Sequence, residues 1–92
     1  MIQNFRDAAT RRFYDGERIK KFGQIEKAAA RKLDMLSAAV TLDDLRSPPG
    51  NRLEALKGDR AGQYSIRIND QFRVCFEWTD QGPANVEIAD YH

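Results

Sequence analysis

The apolar residues of this chain change period once, and a proline-rich break marks the change. Before it, Phe22, Ile25, Ala29, Leu33, Leu36 and Val40 recur at three- and four-residue steps. That spacing puts one apolar stripe along a helix. After it, Tyr64, Ile66 and Ile68 alternate with Ser65, Arg67 and Asn69, and Phe72, Val74, Phe76 and Trp78 alternate with Arg73, Cys75 and Glu77. A period of two belongs to a strand with one buried face. The break is Ser47-Pro48-Pro49-Gly50-Asn51, where proline removes a backbone donor and restricts the residue before it. Helices first and an antiparallel sheet second predict an α+β fold. Its N-terminal helices pack on one face of a small, mainly antiparallel, twisted sheet.

A finer pass sets out the elements. Met1 to Phe5 reads as a short strand with Ile2 and Phe5 as its apolar contacts, and Arg6 to Tyr14 as a helix ended by Gly16. One long amphipathic helix is predicted from about Lys20 to Ala39, with Lys20, Lys21, Lys27, Arg31, Lys32 and Asp34 on its polar surface. Thr41 is placed to cap a short turn. Arg52 to Leu56 is a further strand, followed by a turn-rich stretch from Lys57 to Gly62. Asn69-Asp70-Gln71 makes a tight reversal, and Thr79 to Pro83 leads into a last strand from Asn85 to Tyr91. The helix covers the face bearing Tyr64, Ile66, Ile68, Phe72, Val74, Phe76, Trp78, Val86 and Ile88. Alternation then gives Arg67, Arg73, Glu87 and Tyr91 to the opposite face.

Ninety-two residues correspond to one domain, residues 1–92, with one modest core and no room for a separate cofactor domain. No apolar run is long enough to span a membrane, and the first residues lack the charged-then-apolar layout of a signal peptide. One cysteine, Cys75, rules out an internal disulfide and a thiolate cage, and one histidine makes a zinc site a poor fit. A reducing cytoplasm, no cofactor and no metal are expected. The formal net charge of +1 hides an uneven distribution. Arg52, Lys57, Arg60, Arg67 and Arg73 crowd the middle, whereas from Val74 onward the charges are Glu77, Asp80, Glu87 and Asp90 alone. A local basic patch is therefore compatible with near-neutral charge.

The sequence closes on Asp90-Tyr91-His92, which holds the only histidine. An imidazole titrates near neutral pH and suits general acid–base work. A strand running into this triplet would hold it against the sheet.

Three ordered segments resemble one family. They are Ser47 to Arg60 (SPPGNRLEALKGDR), Gln63 to Phe76 (QYSIRINDQFRVCF) and Val86 to His92 (VEIADYH). Together they are similar to HigB-type toxins, the plasmid-maintenance killer family of the RelE/ParE superfamily, and within it most to GraT-like members. The resemblance implies a toxin encoded beside a HigA-type helix-turn-helix antitoxin, with operator DNA reached only through that antitoxin. It implies entry into the ribosomal A site and cleavage of mRNA there, with mRNA and rRNA as contacts. The family's catalytic residues fall on Asp90, Tyr91 and His92. A further catalytic histidine of the family falls at Glu54, where this chain departs from the pattern. A glutamate serves as a base if its pKa is raised, but it cannot supply an imidazolium's positive charge.

The residue types present can supply what that chemistry requires. Metal-free RNA cleavage needs a base for the ribose 2′-OH, an acid for the 5′-oxygen and cations for the phosphorane charge. His92 is expected to be the proton-transfer residue and Arg73 the main phosphate clamp, with Lys57, Arg60 and Arg67 expected as further phosphate contacts. Tyr91 orients the substrate or stacks on a base, and neighbouring cations are expected to lower its pKa. Asp90 either takes part directly or pairs with an arginine to fix the terminus; Glu54 is either an ion-pair partner or a base. The competing reading is a ParE-like, non-catalytic inhibitor of DNA gyrase, since one fold carries both modes.

Overall fold

The computed structural model describes residues 1–91. His92, the expected proton-transfer residue, lies outside the described residues.

Two helices pack against a four-stranded antiparallel sheet, as the change of period predicts. The first, α1 (Ala8–Tyr14), is short and is pinned by its one buried residue. The Thr10 hydroxyl accepts a 3.0 Å hydrogen bond from the Ile88 N–H of the last strand.

The long helix is broken. Lys20–Ile25 forms a 3₁₀ turn and α2 runs only from Glu26 to Ala38. Gly23 weakens an α-helix at this point, and Ile25 leaves helical geometry at φ −117°, ψ 10°. In a 3₁₀ turn residues i and i+3 eclipse, so Phe22 and Ile25 still enter the core together. From Ala29 the α-helical stripe takes over through Leu33 and Leu36, all three fully buried. Val40, expected to extend the stripe, is 83% exposed. The helix has ended by then, and Ala39 is extended at ψ 133°. Thr41 and Asp44 make the expected cap, the Asp44 carboxylate accepting the Val40 and Thr41 N–H groups at 2.8 and 3.0 Å.

The strands β1 (Glu54–Ala55), β2 (Tyr64–Arg67), β3 (Phe72–Thr79) and β4 (Gly82–Asp90) lie side by side in chain order. The strand expected over Arg52 to Leu56 is realised as two residues. Arg52 adopts φ 46° to cap the Pro49–Asn51 turn, which removes it from extended backbone. The strand expected over Met1 to Phe5 shrinks to one parallel bridge, Phe5 to Val86. Gln3 N–H still bonds Pro83 O and Arg6 N–H bonds Val86 O, at 2.8 and 2.9 Å. Between those bonds β4 is irregular. Asn85 sits at φ 51°, and the β3–β4 register shifts between Cys75 and Glu77.

The core fills the space between Phe22, Ile25, Ala29, Leu33, Leu36 and Leu45 on one side and Ile66, Val74, Phe76, Val86 and Ile88 on the other. Tyr64, Phe72 and Trp78 pack at its margin. All the residues that alternation assigned to the covered face are there.

Candidate active site

The uncovered face of the sheet follows from the register. Glu54 is paired with Ser65, Ser65 with Cys75 and Cys75 with Glu87. One step along, Arg67 is paired with Arg73 and Arg73 with Ala89. Directly opposed residues share a face, so this surface carries the polar groups of all four strands.

At its β4 end an open cleft of about 540 Å³ is lined by Leu56, Lys57, Arg60, Asp90 and Tyr91. Its cations come from a compact loop in which Gly58–Arg60 forms a 3₁₀ turn opened by a left-handed glycine at φ 64°. Lys57 is exposed. Arg60 is anchored: its Nη1 donates to Glu87 Oε1 at 2.7 Å and to Gln63 Oε1 at 3.1 Å. The Glu87 hydrogen bond outweighs burial and raises the pKa of Arg60, so the guanidinium stays charged.

The floor is Tyr91. Its N–H donates to Gln71 O, which ties the end of the chain to the β2–β3 turn. Its hydroxyl lies 3.6 Å from Cys75 Sγ, and Cys75 is itself fully buried. Burial, then the contact with Cys75, pushes the Tyr91 phenol up; Arg60 and Arg73 pull the other way and are outweighed. The expectation that neighbouring cations would lower this pKa is therefore corrected. A neutral phenol donates a hydrogen bond and offers a ring face; near neutral pH it is not a base. Asp90 accepts from Gln71 Nε2 at 3.2 and 3.3 Å.

The other predicted residues sit around this cleft without lining it. Arg73, 15% exposed, crosses the sheet face toward β1. Its Nε donates to Ser65 Oγ and its Nη2 to Arg52 O, both at 2.8 Å. Glu54 lies 3.8 Å from the same Nη2, an ion pair with an exposed carboxylate. Arg67 pairs with Asp70 at the β2–β3 turn and lies close enough to Lys32 to help lower that lysine's pKa, behind burial and Arg31. The structure thus brings Lys57, Arg60, Asp90 and Tyr91 together, with Arg73 and Glu54 as a second group and Arg67 apart.

Sequence reasoning passed over Leu56 as a cleft wall, Ser65 and Gln63 as anchors, and Cys75 as the neighbour of Tyr91. For Ser65 and Cys75 the signal was present, since both alternate onto the face of Arg67 and Arg73. Among the described residues no group of histidine, cysteine, aspartate and glutamate side chains is arranged to hold a metal ion. No helix among them is long and apolar enough to cross a membrane.

The cleft and the fold can be set beside known proteins. A model of the RelE-like toxin of the type II toxin-antitoxin system HigB matches residues 3–92. The chain belongs to the HigB-like toxin family. It is 43% identical over 82 residues to Toxin HigB-1 of Vibrio cholerae serotype O1, covering 87% of this chain and 86% of that one. It is 41% identical over 88 residues to an uncharacterized protein of Haemophilus influenzae, covering 94% and 87%. The fold of this HigB-like toxin is similar to that of the YoeB–YefM complex from Staphylococcus aureus, with a TM-score of 0.62 at 22% identity over 100% of this chain and 98% of that one. It is also similar to a YoeB/ParE toxin from Agrobacterium tumefaciens, with a TM-score of 0.53 at 19% identity and 98% coverage of each. The HigB-like chain is thus a type II toxin with the RelE-like fold.

Proposed function

We propose that this HigB-like toxin is a metal-independent, ribosome-dependent endoribonuclease that cleaves mRNA in the ribosomal A site and so inhibits translation and growth. The observation that carries the reading is the cleft in which Lys57 and Arg60 face Asp90 and Tyr91. Two cations and a neutral phenol at the end of the last strand suit a phosphodiester with an unstacked base beside it. His92 follows Tyr91 in the sequence and takes the proton-transfer role.

In this mechanism Lys57 and Arg60 hold the phosphates flanking the scissile bond, Arg60 through its planar fork. Tyr91 donates to a phosphate oxygen or stacks on the base. The ribose 2′-oxygen loses its proton to a base, attacks phosphorus and expels the 5′-oxygen, which takes a proton. The products are a 2′,3′-cyclic phosphate and a 5′-hydroxyl. Arg73 stabilises phosphorane charge from the adjoining strand while its Ser65 and Arg52 contacts hold it there. Glu54 is read as an ion-pair partner, supported by its position beside Arg73. A HigA-type helix-turn-helix antitoxin is the proposed partner in the cytoplasm, and operator DNA is reached through it.

Induction of the toxin, with mapping of new 5′ ends in cellular mRNA, tests the reading. Cuts phased to codons in translated frames are expected, and His92→Gln is expected to remove them while the protein stays folded. Inhibited supercoiling and DNA damage with no codon-phased cuts would replace this reading with gyrase inhibition.

A further inference from the structure

We infer that Glu87 is a positioning residue for the proposed cleavage reaction, acting by fixing the guanidinium of Arg60 at the wall of the cleft. The inference rests on the nuclease reading above. Glu87 and Gln63 accept hydrogen bonds from the same nitrogen, Nη1, at 2.7 and 3.1 Å. Gln63 is buried and the Glu87 side chain is only 17% exposed. Two acceptors on one nitrogen of a planar group define its plane, and their burial keeps them from wandering. Arg60 nevertheless remains 36% exposed, so the fixed group still meets the cleft.

The charge of Glu87 has a second effect. A carboxylate beside a phosphate-binding cation offsets part of its attraction for RNA. The arrangement therefore trades affinity for placement. Placement matters in the transition state, where small misalignments of a charged donor cost rate. Arg6 also approaches Glu87, its Nε 3.7 Å from Oε1, but Arg6 does not line the cleft. Glu87 thus couples to the site through Arg60.

The test is a double-mutant cycle read as single-turnover cleavage on ribosomes programmed with a sense codon in the A site. Glu87→Ala is expected to lower the cleavage rate by about tenfold, with binding to the ribosome unchanged or tighter. Glu87→Gln keeps an acceptor for Nη1 and is expected to restore most of the rate. In an Arg60→Ala background, Glu87→Ala is expected to add no further loss. Arg6→Ala is expected to leave the rate unchanged. Glu87→Thr, which suits a strand, takes the place of alanine in the cycle if E87A does not fold. An impaired R60A with an unimpaired E87A, or losses that add in the double variant, overturns the role of Glu87 and leaves the nuclease reading standing. A wild-type toxin that does not cleave, or an R60A variant as fast as wild type, overturns the use of Arg60 and the role of Glu87 with it.

Discussion

The Tyr91 hydroxyl rests 3.6 Å from the sulfur of the fully buried Cys75. Burial raises the pKa of both groups, and the contact raises Tyr91 further. Both therefore hold their protons more tightly in the folded chain than in the unfolded one. The sign follows from linkage. Their contribution to stability is complete below the ordinary values of 9.0 for cysteine and 10.0 for tyrosine and is lost as pH rises through the folded values. Urea unfolding midpoints are expected to fall between neutral pH and about pH 11. The fall is expected to be shallower in Cys75→Ala, and ultraviolet titration of that variant is expected to find the Tyr91 pKa moved down.

Arg73 cannot be exchanged for lysine at its crossing of the sheet. Its guanidinium reaches Ser65 Oγ and Arg52 O at once; a single ammonium on a flexible stem does not reproduce that fork. Arg73→Lys is expected to lower cleavage and growth inhibition markedly despite its conserved charge. Arg73→Ala is expected to cost about 2 kcal/mol of stability as well, checked by urea denaturation alongside a toxicity assay.

Asn51 is the buried polar hub of the proline-rich turn. Its amide nitrogen donates to Leu45 O and Ser47 O at 3.1 and 3.3 Å, and its oxygen accepts from Lys32. Asn51→Ala empties a fully buried position and takes that partner from two carbonyls and a half-buried ammonium. A loss of about 3 kcal/mol is expected, read as a lower urea midpoint with an unchanged slope.

Lys57 is exposed and lines the cleft, so its removal is a test of binding with little effect on folding. Lys57→Ala is expected to weaken ribosome-bound RNA cleavage through KM. The log–log salt dependence is expected to flatten by about 0.7 for the phosphate contact removed.

How far the sequence announced this arrangement depends on the range of the interaction. The α2 stripe of Ala29, Leu33 and Leu36 and the alternation of β2 and β3 were legible because one periodicity decides each. The break at Ile25 was not, because a 3₁₀ turn buries Phe22 and Ile25 on nearly the spacing a helix would use. Arg52 was misread as strand because its left-handed backbone answers to the preceding turn and leaves no mark in residue type. At the site, strand alternation put Arg67, Arg73, Glu87 and Tyr91 on one face. It could not say that Arg73 leans toward Ser65 or that Arg60 comes across from a loop to meet Glu87. The first depends on which way a long side chain leans across the β2–β3 hairpin, and the second joins residues 27 apart in the chain.

The irregularity at Asn85 governs more than its own turn. Before it, Glu77 opposes Ala84; after it, Cys75 opposes Glu87, so β4 carries one residue that β3 does not match. That spare residue sets the phase of everything downstream. Were Asn85 instead paired in a regular ladder, the strand would run one residue out of step: Glu87 would fall opposite Val74 on the core face, Ile88 would be turned out to solvent, and Tyr91 would leave the cleft. The candidate site therefore exists on the outer surface because of a single unmatched residue six positions before Tyr91. Flattening that bulge with every residue kept would turn the strand inside out without altering one residue of the cleft.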